Sequence, residues 1–244
     1  MSRPFLTARW EDLVFLNYVC PPRTLEPLVP AGTELDLWEG EALVSLVGLM
    51  FRDTRVRGVA VPGHRTFEEV NLRFYVRRRT PEGELRRAVV FIREVVPRRA
   101  IAAIARIAYN EPYVAAPMSH RVSLEPATGG TAAYEWRYGG GEFVVAADAA
   151  GPATPIPTGS EMAFVTEHYW GYTRQRDGRT LEYRVEHPRW EGWTARAGRY
   201  SGPTAALYGD AFADVLSGEP RSAFIAVGSE VAVYPGERLE AGES

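Results

Sequence analysis

From Glu69 to Val76 the chain alternates strictly: Glu69, Asn71, Arg73 and Tyr75 fall on one side of an extended backbone, Val70, Leu72, Phe74 and Val76 on the other. A two-residue period is the pleat of a β-strand, so one face is committed to a core. The turn at Pro81-Glu82-Gly83 reverses the chain, and Leu85–Val96 returns with an apolar AVVFI segment followed by Arg93 and Glu94. Neighbouring strands bring same-face side chains together, which predicts a charged cluster of Glu69, Arg73 and Arg93. Two environments are open to it: water, where ion pairs are worth little, and a cavity, where an unpartnered charge is costly.

The next segment, PRRAIAAIARIAYN, places Ile101, Ile104, Ala105 and Ala108 at three- and four-residue steps behind Pro97, which predicts a helix. Pro112 stops it near Tyr109 to Glu111. Asn110, Glu111 and Tyr113 are thereby delivered where the chain changes direction.

The rest reads as short extended runs punctuated by turns. Leu13–Val19 is a buried strand closed by Pro21-Pro22, and Arg23–Val29 a turn of helix. Glu34–Trp38 and Ala42–Phe51 read as a hairpin about Glu39-Gly40-Glu41, and Arg52–Arg65 as a loop on the surface or at a cavity mouth. Three strands follow Met118 as a meander, with Gly139-Gly140-Gly141 as one turn. Thr158 and Glu161 have capping-box spacing for a helix through Val165. Tyr169–Arg174 and Arg179–His187 pair across Asp177-Gly178. A helix over Ala205–Leu216 precedes a last hairpin at Gly228-Ser229. With no repeat and no low-complexity linker, the expectation is one α+β, mainly β domain over residues 1–235 and a frayed tail over 236–244.

Composition removes several function classes. All 28 basic residues other than histidine are arginine, so no mechanism can use a lysine nucleophile. A net charge of −3 gives no basic field, so neither nucleic acid nor a membrane is an expected partner. No apolar run is long enough to span a bilayer, and the N-terminus lacks a signal-peptide core, so the expected location is cytoplasmic. Cys20 has no disulfide partner in the chain. His64, His120, His168 and His187 show no ligand spacing and carry no metal prediction, although His168 and His187 could meet in space. The sequence has no serine-hydrolase elbow, and GGGE lacks phosphate-loop spacing. No cofactor is expected. The arginines at 77–79 and 86–87 flank one hairpin and read as its solvated tip.

Seven segments taken together resemble, over nearly the whole length, the YqjF-like bacterial family of unknown function in the acetoacetate decarboxylase-like superfamily. They are WEDLVFLNY, LVPAGTELDLWEGEALVSLVGLMFRDTRV, FEEVNLRFYV, VVFIREVVPRRAIA, ARIAYNEPY, EHYWGYT and VEHPRW. The resemblance implies a bent antiparallel sheet closing into a barrel-like cone around a polar cavity, with a few peripheral helices. Glu69, Asn71 and Arg73 would then line that cavity. The superfamily's decarboxylase places its lysine after Arg-Glu, two residues and Phe-Pro; here Pro112 matches the proline and Tyr113 stands where the lysine would. Schiff-base decarboxylation is therefore excluded, whereas the fold can be kept without the reaction.

The resulting expectation is a protein that binds a small anionic or carbonyl-containing molecule. Glu69, Glu111 and Tyr113 are the candidate acid/base groups, and Asn71, Arg73, Arg93, Arg106 and Asn110 the candidate ligand contacts. The same pocket could bind without turnover, and a homo-oligomer is allowed.

Overall fold

The computed structural model describes residues 3–239. Its strands, in chain order, begin with β1 (Leu6–Val19), β2 (Glu34–Leu35), β3 (Leu43–Val56), β4 (Phe67–Arg79), β5 (Leu85–Val96), β6 (Tyr113–Ala115) and β7 (Met118–Glu125). They continue with β8 (Gly129–Tyr138), β9 (Gly141–Ala150), β10 (Thr154–Pro155), β11 (Trp170–Arg174), β12 (Thr180–Glu186), β13 (Glu191–Ser201), β14 (Ser222–Val233) and β15 (Glu237–Arg238). The helices are α1 (Pro22–Leu25), α2 (Arg99–Tyr109), α3 (Glu161–Thr166), α4 (Thr204–Tyr208) and α5 (Asp210–Ser217).

All the strands join one sheet, ordered β15-β12-β11-β5-β4-β3-β1-β14-β13-β9-β8-β7, with β2, β6 and β10 paired at its sides. Val185 and Glu186 of β12 also pair with Val233 and Ala232 of β14. That contact closes β12, β11, β5, β4, β3, β1 and β14 into a ring. Strands β13, β9, β8 and β7 form a wing off β14, and β15 lies outside the ring on β12. Among the described residues no helix is long and apolar enough to cross a membrane.

The alternation along β4 is realised as two separate cores. Val70, Leu72, Phe74 and Val76 pack with Val14, Leu46, Tyr134 and Val145, which joins the ring to the wing. At Gly48 of β3 a Cβ would lie 2.5 Å from Cδ2 of Tyr134, so a side chain there would hold the wing away. Tyr75 faces the other way, with Phe15, Phe51, Phe67, Phe164 and Trp190.

Several local expectations are corrected. Residues 38–41 do turn tightly, joined by a Trp38–Glu41 bridge, but β2 pairs with β4 instead of forming a hairpin with β3. Ser160, not Thr158, caps α3 by accepting from the Ala163 amide; the Thr158 hydroxyl accepts from Arg189. Gly209, at φ 88°, splits the expected 205–216 helix into α4 and α5. Gly228-Ser229 makes no hairpin: β14 runs straight through it, and Gly228 pairs with Glu11. Within the expected tail, Glu237 and Arg238 pair with β12; residues 240–244 lie outside the described part.

Candidate functional site

The polar face of β4 is buried. Glu69 and Asn71 are each 3% exposed, and Arg73 lies beside them. What faces them from β5 is set by an irregularity in the ladder: Arg73 pairs with Phe91, but Leu72 pairs with Arg93, which leaves Ile92 as an extra residue. Such a bulge inverts the alternation beyond it. Arg93 is thereby turned to the Leu72 face, where its Nε donates to the Leu207 carbonyl at 3.3 Å. Glu94, opposite Asn71, takes the place in the pocket that unbroken alternation assigns to Arg93. The expected Glu69–Arg73–Arg93 cluster is thus Glu69–Arg73–Glu94.

Helix α2 supplies the third carboxyl. Its C-cap, Asn110, sits in the left-handed region at φ 58°, a conformation asparagine tolerates, and the chain turns there into β6, parallel to β5 with Tyr113 opposite Glu94. Arg106 is exposed and does not reach the pocket; its Nε holds the Tyr113 carbonyl at 2.7 Å. Asn110 likewise serves the backbone, donating to the Arg174 carbonyl at 2.9 Å. Glu111 points inward and is 5% exposed.

Glu69, Arg73, Glu94, Glu111 and Tyr113 line a pocket of about 190 Å³. Much of the remaining lining is apolar, with Trp10, Phe51, Phe67, Phe91, Ile101 and Trp190 among it, beside His64, His168 and His187. Val61 and Ile104 at its rim are exposed, so the pocket reaches the surface between the 57–65 loop and α2.

Among the polar groups the Tyr113 hydroxyl donates to Glu69 Oε2 at 2.9 Å, and Asn71 Nδ2 donates to Glu69 Oε1 at 3.0 Å. Glu111 Oε1 accepts from Thr173 at 2.7 Å and from Tyr183 at 2.8 Å. Glu94 Oε2, Glu111 Oε2, Asn71 Oδ1 and Arg73 Nε are buried without a hydrogen-bond partner. Arg73 donates from Nη2 to the Val165 carbonyl, with its guanidinium over the Phe15 ring at 5.2 Å. It forms no ion pair among the described residues.

Three carboxyls with one guanidinium among them, and Glu69 and Glu94 nearest to it, cannot all be ionised cheaply in so dry a place. Desolvation pushes Glu69 up to about 7, against the pull of its Asn71 and Tyr113 hydrogen bonds. Burial raises Glu111 to about 7 as well, against Thr173 and Tyr183. Glu94 is raised well above its ordinary range, by burial first and then by the charges of Glu111 and Glu69. The three therefore titrate together, with Glu94 biased toward its protonated form. Burial and the adjacent carboxylates also push the Tyr113 phenol well above its ordinary range.

His168, 5% exposed, also lines the pocket, with its Nε2 3.2 Å from Asp36 Oδ2. Asp36 is held in turn by Arg87 Nε at 2.7 Å. His187 does not join His168; it stacks on Trp190 with ring centroids 4.3 Å apart. Cys20 is buried, and burial raises its thiol to about 11.

Sequence reasoning thus placed Glu69, Asn71, Arg73, Glu111 and Tyr113 together, and the structure brings those five to one site. It missed Glu94, Thr173, Tyr183 and the Asp36–His168 pair. Glu94 was visible only as the neighbour of Arg93, and the others come from segments far away in the chain.

Solved structures of the acetoacetate decarboxylase-like fold superimpose on nearly the whole chain. Acetoacetate decarboxylase from Legionella pneumophila matches with TM-score 0.68 and 15% identity, over 100% of this chain and 90% of that one. The enduracididine biosynthesis enzyme MppR, complexed with pyruvate, matches with TM-score 0.69 and 14% identity, over 98% and 92%. At these identities the likeness shows the fold. The uncharacterized protein YqjF of Bacillus subtilis (strain 168) is 40% identical over 68 residues, a stretch that is 28% of this chain and 28% of YqjF. Residues 7–230 match the DUF2071 family of uncharacterized conserved proteins, and the chain belongs to that family.

Proposed function

We propose that the pocket binds a small carbonyl compound, including one that carries a carboxylate, and moves protons on it without lysine chemistry. The observation that carries this reading is the set of buried, unpartnered polar atoms on residues that line one pocket: two carboxyl oxygens of Glu94 and Glu111, and the Nε of an arginine without an ion pair. Buried polar groups are normally satisfied, so the set is complementary to a ligand that brings an acceptor for Arg73 and a carbonyl oxygen for a protonated carboxyl. The pyruvate in MppR, a fold neighbour, makes a keto acid the natural first probe.

In the pocket the ligand carboxylate pairs with Arg73, and Glu94 donates its proton to the carbonyl oxygen. Glu69, oriented by Tyr113 and Asn71, takes a proton from the adjacent carbon. The product is an enol; its return, or the loss of a β-leaving group, runs through the same two carboxyls. A base poised near neutrality suits this work, because efficiency peaks when the catalytic pKa is close to the working pH.

The test is proton NMR of pyruvate and phenylpyruvate in heavy water, with thermal melts alongside. Wild-type protein should be stabilised by the keto acid and should speed exchange of the protons next to the carbonyl. Glu69→Gln should keep the stabilisation and lose about 10²–10⁴-fold of the exchange rate. Stabilisation without exchange would make this a binding protein on the same fold; no stabilisation by either keto acid would overturn the reading.

A further inference from the structure

The Asp36–His168 pair has no part in the proton transfer just described, yet it is one of the most constrained groups facing the pocket. Asp36 is ionised: hydrogen bonds from His168 and Arg87 hold its carboxyl below the ordinary range, against its burial. An ionised carboxylate only accepts, so the His168 nitrogen facing it, Nε2, carries the hydrogen. Burial above all pushes the imidazole down to about 4, so the ring is neutral and Nδ1 is left as a bare acceptor. That nitrogen is buried without a partner. The side chain is only 1% exposed, packed on Tyr75 with ring centroids 4.6 Å apart and on Phe164 at 5.2 Å.

Neighbouring donors are turned elsewhere, and none of them, the unpartnered Arg73 Nε included, bonds His168 Nδ1. Ser45 gives its hydrogen to Asn17 Oδ1 at 2.6 Å, so the Tyr75 hydroxyl donates to Ser45, at 2.5 Å. Arg87 is turned to Asp36, and Arg73 Nη2 to the Val165 carbonyl. A fixed, dry acceptor on a residue that lines the pocket is an unmet demand for a donor.

We infer that His168 is a specificity-determining residue: its Nδ1 accepts a hydrogen from a hydroxyl or N–H group on the bound molecule, so that the preferred ligand is a hydroxy, enol or amino compound with an apolar body. The inference rests on the pocket being a ligand site. It assigns His168 a binding role distinct from the acid/base work of the glutamates.

The experiment uses racemic phenyllactate and hydrocinnamate, which share a carboxylate and a phenyl group and differ by one hydroxyl. Calorimetric titration of the wild-type protein should show phenyllactate binding at least about tenfold more tightly, the effect of one well-made hydrogen bond. His168→Gln keeps an amide that can donate to Asp36 but offers no acceptor at the Nδ1 position, so the preference should fall to about twofold or less while hydrocinnamate binds as before. Nitrogen NMR of the wild-type imidazole gives a readout that needs no variant. The Nδ1 resonance should move from the free toward the hydrogen-bonded range with phenyllactate and stay put with hydrocinnamate. Equal affinities in wild type, a preference retained in His168→Gln, or an unmoved Nδ1 resonance would overturn the role given to His168 and leave the pocket standing. Failure of both acids to bind would overturn the pocket reading, and this inference with it.

Discussion

The two faces of β4 are equally dry and chemically opposite. On one, Val70, Leu72, Phe74 and Val76 are wholly buried against the wing. On the other, Glu69, Asn71 and Arg73 are almost as buried, but Asn71 and Arg73 keep polar atoms unpartnered. The first face gains from every methylene it removes from water. The second gives up hydration without full repayment in hydrogen bonds, a pattern found where a protein keeps a place for something else. Burial alone therefore does not distinguish core from site; the satisfaction of polar atoms does.

The largest effect is expected on the apolar face. Leu72→Ala should cost about 2–5 kcal/mol in urea unfolding, since the ring–wing junction cannot collapse into the void. Glu69→Gln, its neighbour on the other face, should cost far less at neutral pH. If the two cost the same, the polar face is structural.

A pH series sharpens the contrast. Carboxyls with raised folded-state values contribute stability that is complete below their unfolded pKa and is lost as pH rises through the folded one; Glu69 and Glu111 place that loss between 4.5 and about 7. His168, lowered from 6.5 to about 4, acts in the opposite sense and loses stability as pH falls. His187 is lowered as well, but Glu94 joins the raised carboxyls, so three glutamates act against two histidines and unfolding free energy should fall from about pH 5 to about pH 8. Glu94→Gln should flatten the curve. A profile that rises over this range would remove the case for neutral carboxyls.

A smaller effect is expected where the polar face is buttressed. At Gly171 of β11 a Cβ would fall 2.1 Å from Cζ of Tyr183, whose hydroxyl binds Glu111. Gly171→Ala should therefore cost about 1–3 kcal/mol through forced repacking. It should also raise the Glu111 pKa further by taking away a donor, as a carboxyl titration followed by NMR would read.

The legibility of this site in the sequence follows physical range. The period along β4 and the helix stop at Pro112 are local signals, and they placed Glu69, Asn71, Arg73, Glu111 and Tyr113. The bulge at Ile92 has no local signal: Ile-Arg-Glu fits an unbroken strand equally well, and one inserted residue exchanged Arg93 for Glu94. Thr173 and Tyr183 reach Glu111 because β11 runs beside β5 and pairs with β12, and Asp36 reaches His168 across 132 residues of chain. Long-range pairings of this kind leave no periodicity behind. The ring closure of β12 on β14 is of the same kind; the resemblance to the acetoacetate decarboxylase-like superfamily, not the residue pattern, had anticipated a closed sheet. Gly228 shows the converse, a turn-like dipeptide absorbed by a continuous strand once both neighbours were in place.

The central claim, that burial keeps acid protons in this pocket at neutral pH, is tested most directly by infrared difference spectroscopy of the carboxyl groups. Wild-type protein near pH 7 should show the C=O stretch of protonated, buried carboxylic acids, and Glu94→Gln should weaken it to the share of Glu69 and Glu111, both raised to about 7. A wild-type spectrum with carboxylate bands alone would contradict the account.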